Sequence, residues 1–154
     1  LKGVETRMSG IHQRKNELRS SQRFRVDGVV PKVYNTGVLT SLGIGRKNEA
    51  RTAINLSEGG VLIRTHDRLK IGTAVRVRLE IEKFNDAIEA DGVVRWCFQS
   101  ATDATDFYAG IQFNKLPTSL TNKIARLRSY FTSPEYMMKM ATKRRADPLG
   151  IDLD

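Results

Sequence analysis

The sequence predicts a mainly β protein, an antiparallel barrel of about six strands with α-helices packed on or beside it at the C-terminal end. Three observations carry this. In "TAVRVRLEIEK", Val75, Val77, Leu79 and Ile81 alternate with Arg76, Arg78, Glu80 and Glu82, the period of a strand with one buried and one wet face. Short β-prone runs separated by Gly, Asn and Asp follow one another with no helix between them, so neighbours must pair antiparallel. After Pro117 the apolar period becomes helical.

Residues 1–25, "LKGVETRMSGIHQRKNELRSSQRFR", are rich in Arg, Lys, Gln and Ser, and form a basic lead-in. "VVPKVY" is the first strand, with Pro31 favouring an edge or a strand start. "NTGVLTSLGIGRKNE" is a connection with room for one more short strand. "ARTAI" and "VLIRT" are strands joined by "NLSEGG", and "TAVRVRLEIEK" turns through "KFND" into "AIEADGVVRWCF", which leads by "QSATDATD" into "FYAGIQF". The expected arrangement is a meander. Leu120, Ile124, Leu127 and Phe131 then form one stripe on a helix that covers part of the barrel. A second helix restarts at "SPE", with Ser133 as N-cap, Pro134 in the first turn and Glu135 beside it. The division is 1–25 basic segment, 26–117 barrel, 118–147 helical extension and 148–154 tail.

The chain has 154 residues, 40% hydrophobic and 28% charged, enough for one core of ordinary domain size. Its 26 Lys and Arg against 17 Asp and Glu give a net charge of +9, which favours polyanions, phosphates or acidic surfaces as partners. No apolar run approaches the roughly 20 residues of a membrane-spanning helix, and Leu1 to Asn16 lacks a signal peptide's apolar region. A soluble, cytoplasmic protein without membrane insertion is the expectation. Cys97 is the single cysteine, which excludes an internal disulfide and a thiolate metal site and suits a small core residue.

Enzyme chemistry finds no support in the sequence. His12 and His66 stand in unrelated contexts without ligand-spaced neighbours, so no metal and no catalytic residue is expected. No nucleophile elbow, Walker loop or strand-linked dinucleotide fingerprint occurs. Two stretches remain. Arg19 and Arg23 in "RSSQR" share a helix face or converge from an irregular segment, though taken alone they are more simply a solvated charge run. In "NLSEGG", Asn55 and Ser57 suit local backbone bonds and Gly59 and Gly60 suit positive φ. The same groups also match a guanine edge, which needs a donor and an acceptor, and a phosphate, which accepts from hydroxyls and bare amides.

Arg19-x-x-x-Arg23 ahead of a β-barrel, followed by Asn55-x-Ser57-x-x-Gly60, resembles the paired signature of PilZ domains. "NLSEGGVLIRT", "GVVRW" and "YAGIQF" resemble that family's barrel in order and texture, from about Leu18 to Phe131. The resemblance implies a receptor for the second messenger cyclic di-GMP on a six-stranded antiparallel barrel of PilZ type, with no cofactor besides that ligand. It implies that Arg19 and Arg23 bind phosphates and guanine from a mobile segment. Asn55 and Ser57 then face the second guanine, and Gly59 and Gly60 allow close approach. Leu18 stands where some members carry a further Arg that holds a second ligand, so one ligand per chain is expected, with Arg25 as the alternative source of that charge. Trp96 matches a barrel tryptophan of the family, and strand alternation makes it a core aromatic. Glu58 receives no role beyond solvent exposure.

The implied partners are cyclic di-GMP and a protein target. Tyr136, Met137 and Met140 on the last helix fit core packing, a homodimer contact or a partner surface. Two rivals stand beside this reading: a basic nucleic-acid-binding barrel, opposed by the low aromatic content of 7% and by strand aromatics at buried-looking positions, and a PilZ-like adaptor that binds protein only.

Overall fold

A computed structural model describes residues 22–36 and 47–146. Arg19, Leu18 and His12 lie outside the described residues, as do most of "NTGVLTSLGIGRKNE" and the tail. Seven strands form one antiparallel sheet: β1 (Phe24–Arg25), β2 (Val29–Asn35), β3 (Ala50–Ser57), β4 (Gly60–Thr65), β5 (Ala74–Ile81), β6 (Asp86–Gln99) and β7 (Phe107–Phe113). Two helices follow, α1 (Thr118–Phe131) and α2 (Pro134–Ala146).

The spatial order is β1-β3-β4-β7-β6-β5-β2. Only β5, β6 and β7 form a meander; the β3–β4 hairpin docks on the free edge of β7, and β2 on the free edge of β5. This corrects the simple meander and covers both exposed edges of the central strands. The sheet curls until β2 meets the residues that lead into β3. There the Asn48 side chain stands in for a peptide group. Its Oδ1 accepts from Val33 N–H at 2.9 Å and Ala50 N–H at 3.0 Å, and its Nδ2 donates to Pro31 C=O at 3.3 Å. Glu49 N–H completes the seam on Val33 C=O at 3.0 Å. The other half of β3's edge is taken by β1, a strand beyond the six expected, through Phe24↔Leu56 and Arg25↔Asn55.

The core follows the alternation. Val75, Val77, Leu79 and Ile81 are all buried, as are Val33, Leu56, Ile63, Ile88, Val94 and Ile111. Cys97 is half-buried and packs against this core. On the wet face of the same wall the charges pair: Arg78 with Glu89 at 2.6 Å and Glu80 at 3.1 Å, Lys32 with Glu80 at 2.8 Å, and Arg76 with Asp91 at 3.3 Å.

The predicted helical stripe seats α1 on the barrel, with Ile124, Leu127 and Phe131 buried and Leu120 partly so. Phe131 stacks on Phe24 of β1, centroids 6.3 Å apart. Ser133 caps α2 as expected, its Oγ accepting from Tyr136 N–H at 3.2 Å. α2 has no fully buried residue. Tyr136 packs against Phe131 at 5.2 Å, while Met137 and Met138 face outward and Lys143, Arg144 and Arg145 close the helix. No helix among the described residues is long and apolar enough to cross a membrane.

Asp106 anchors the β6–β7 connection. Although only 2% exposed, it receives Arg51 at 2.5 Å on one oxygen and Arg64 on the other. The Arg64 hydrogen bond, reinforced by Arg51, holds its pKa below the ordinary 3.8. The folded state therefore binds fewer protons than the unfolded one, and this stabilisation is complete above that value and lost as pH falls below it. Asp106→Asn is expected to cost about 1–3 kcal/mol at about pH 7. Urea unfolding should show the variant and wild-type curves drawing together as pH falls below the ordinary carboxylate value and the wild-type carboxylate also protonates.

Candidate functional site

The outer face of β3, β4, β7 and β6 carries a row of residues set by register: Asn55↔Leu62, Leu62↔Gly110 and Gly110↔Trp96. Arg25 of β1 extends the row beyond Asn55. A second row runs Ser57↔Gly60, Gly60↔Gln112 and Gln112↔Val93. Together with Gln22 and Arg23 these rows enclose an open cleft of about 830 Å³, within the roughly 300–1,000 Å³ usual for small-ligand sites.

Arg23, Asn55, Ser57, Gly59 and Gly60, all expected from the sequence, line this one cleft. Arg25 stands beside it, exposed and outside its walls. Ser57 is 3% exposed, and its Oγ accepts from Gly59 N–H at 3.1 Å, so the hydroxyl braces the turn and keeps a donor for a ligand. The Asn55 amide makes no hydrogen bond among the described residues, and the Arg23 guanidinium makes none either.

The glycines act differently from the expectation. Positive φ occurs at Gly28 and Gly72, not at Gly59 or Gly60. Gly60 opens β4 so close to β7 that a Cβ there would overlap the Ile111 carbonyl. Its requirement is lateral space between strands.

Trp96 is also corrected. Register slips between Val94 and Trp96 against Ile111 and Gly110, so Arg95 is the extra residue of a β-bulge. The bulge re-aims Trp96 from the interior to the outer face. There the indole lies over Gly110, where any Cβ would overlap the ring. Phe98 stacks on Trp96 at 5.2 Å with 15° between planes, and Tyr108 meets Phe98 at 5.5 Å. Phe98 is 54% exposed. The strand aromatics thus form an outer ledge, which removes one argument raised against nucleic-acid binding.

Sequence reasoning missed Arg95, Gln112, Leu62 and Gln22 as walls of the cleft. Arg95 Nε donates to Gln112 Oε1 at 2.5 Å across the rim. A signal existed: an outward arginine in "GVVRW" and an outward glutamine in "YAGIQF" had to share a face. The cleft walls hold two arginines and no carboxylate among the described residues. Glu58, the acid of the turn, bonds instead to Arg128 of α1, and that bond lowers its pKa from the ordinary carboxylate value. The expectation of simple solvent exposure for Glu58 gives way to this pairing. No group of three or more metal-ligating side chains occurs among the described residues.

These features define a class: a small antiparallel barrel whose outer wall carries a basic cleft, acid-free among the described residues. The sequence matches the PilZ domain over residues 17–130, and the chain belongs to this family of cyclic di-GMP receptor domains. Among solved structures it is similar to the Bacillus subtilis inhibitor of motility MotI/DgrA, at 14% identity and a TM-score of 0.58. That likeness covers 75% of this chain and 53% of the other, so the chain spans about half the length of that protein and shares its fold. Comparison with curated proteins found no match.

Gly110→Ala is expected to leave the barrel folded but lift the indole from its seat. As Trp96 is the single tryptophan, its emission should shift to the red with far-ultraviolet circular dichroism unchanged. Unshifted emission would show that the ring does not depend on Gly110.

Proposed function

We propose that this chain is a cyclic di-GMP receptor that clamps the dinucleotide between the arginine segment and the 55–60 turn. The observation that carries the reading is the cleft: Arg23, Asn55, Ser57 and Gly60 meet over the outer wall with no acid among them. A cyclic dinucleotide offers two phosphates and two guanine edges. Guanidinium groups bind phosphate oxygens or guanine O6 and N7 in bidentate fashion, and they stack on planar rings. Arg23, joined by Arg19, fills that role. Asn55 presents a carbonyl to guanine N–H groups and Ser57 donates its hydroxyl. The half-buried Trp96 indole supplies a stacking plane at the far end of the row. Arg95 adds a second charge within the cleft.

Docking of the arginine segment changes the surface offered to a protein target. Fixing any part of it that becomes ordered only on binding costs on the order of 1–2 kcal/mol per residue, which the charge-assisted contacts offset. The balance makes binding a switch. One ligand per chain is the proposed stoichiometry. In this role the chain acts as a receptor, with no catalytic residue and no metal.

Calorimetric titration with simultaneous Trp96 fluorescence tests the reading. Wild type should bind with a stoichiometry near one and quench the indole. Arg23→Ala and Arg19→Ala should each weaken binding at least about tenfold, and Asn55→Ala and Ser57→Ala by several-fold to about tenfold. Absence of heat and quenching at about 50 μM ligand would sink the proposal and leave the protein-only adaptor. The exposed Trp96–Phe98–Tyr108 ledge supports a second reading as a single-strand nucleic-acid surface. That reading predicts oligonucleotide binding that falls steeply with salt and responds to Arg23→Ala by one lost charge only.

A further inference from the structure

Glu58 belongs to the turn yet is absent from the cleft walls. Its partner, Arg128, projects from α1 and touches both halves of the site from behind. Arg128 Nη2 donates to the Glu58 carboxylate and also to Gln22 C=O at 3.2 Å, while its Cζ lies 5.4 Å from the centre of the Phe24 ring. Gln22 immediately precedes Arg23. Phe24 immediately follows it and stacks on Phe131, one helical turn beyond Arg128 on the same helix.

One guanidinium therefore spans the turn, the arginine-bearing segment and the covering helix. It holds this place although its Nε–H is buried without a partner among the described residues, a cost that its other contacts must outweigh. A free surface arginine would turn that group to water.

We propose that Arg128 is a positioning residue for the cleft: it sets the spacing between the Arg23 segment and the 55–60 turn, and it makes α1 the element through which ligand occupancy is read. This rests on the assignment of the cleft to cyclic di-GMP. A ligand bridging the two halves pulls on both ends of one fork, so it tightens the seat of α1. By linkage, a well-seated α1 raises ligand affinity by the same factor. Lysine in this place keeps the charge opposite Glu58 but lacks the planar fork that reaches a carboxylate and a carbonyl together and lies over a ring.

The test compares wild type, Arg128→Lys, Glu58→Gln and the double variant in the full chain. Cyclic di-GMP is titrated by calorimetry, and hydrogen exchange of α1 is followed with and without ligand. Lys123→Ala serves as control, because Lys123 is on the same helix but bonds Asp86 at 2.8 Å, outside the cleft. Arg128→Lys should bind about tenfold more weakly and lose the ligand-induced protection of α1, with circular dichroism unchanged. Glu58→Gln should weaken binding less, the double variant should lose no more than Arg128→Lys alone, and the control should match wild type. If Arg128→Lys does not fold, the Glu58→Gln arm decides by the same readouts. Binding within about twofold of wild type, or retained protection of α1, overturns the positioning role and leaves the ligand assignment standing. No binding by wild type overturns both.

Discussion

The constraint on which the rest depends is lateral register. In a barrel this small the interior is filled mainly by apolar side chains, so the strands present chiefly Val, Ile, Leu or Ala inward at every second position. Val33, Ile63, Val94 and Ala109 are fully enclosed on these terms. Once that is satisfied, the outward residues have no choice of neighbour. Asn55 must lie beside Leu62, Leu62 beside Gly110 and Gly110 beside Trp96. The cleft is the outward image of the core.

Charge is sorted by the same geometry. On the β2–β5–β6 wall, outward Lys and Arg pair with outward Glu along and between neighbouring strands, and the ladder from Lys32 to Glu89 neutralises itself. On the β3–β4–β7 wall, the acids are drawn to the margins. Asp106 is spent on Arg51 and Arg64, and Glu58 on Arg128. What is left over the cleft is positive, Arg23 and Arg95 having no acid beside them among the described cleft residues, whereas the ladder's charges cancel.

Much of this was legible in the residues. The alternation of β5 and the stripe of α1 depend on a single element meeting one core, so a local pattern determines them. The paired motifs located five cleft residues because their spacing is itself local. The failures share a different origin. Trp96 was assigned inward because strict alternation has no notice of a bulge, and one extra residue at Arg95 inverts the remainder of the strand. Glu58 had no visible partner because Arg128 is 70 positions away. β1 was hidden in the basic lead-in because two residues are too few to show a period, and its strand character comes from Phe24 finding Leu56 and Phe131.

The Asn48 seam has a consequence for how such a barrel varies. Because the Asn48 side-chain amide and one backbone bond from Glu49, not a continuing strand ladder, join β2 to the start of β3, closure is specified by this residue pair placed at the end of the connection from Thr36. The number of residues before it does not enter the geometry, and loop-closure entropy grows only slowly with length. The span between Thr36 and Lys47 is therefore the place where insertions, deletions or a grafted segment would be absorbed at least cost to the cleft. In physical terms, Asn48 uncouples the length of that connection from the geometry of the cleft.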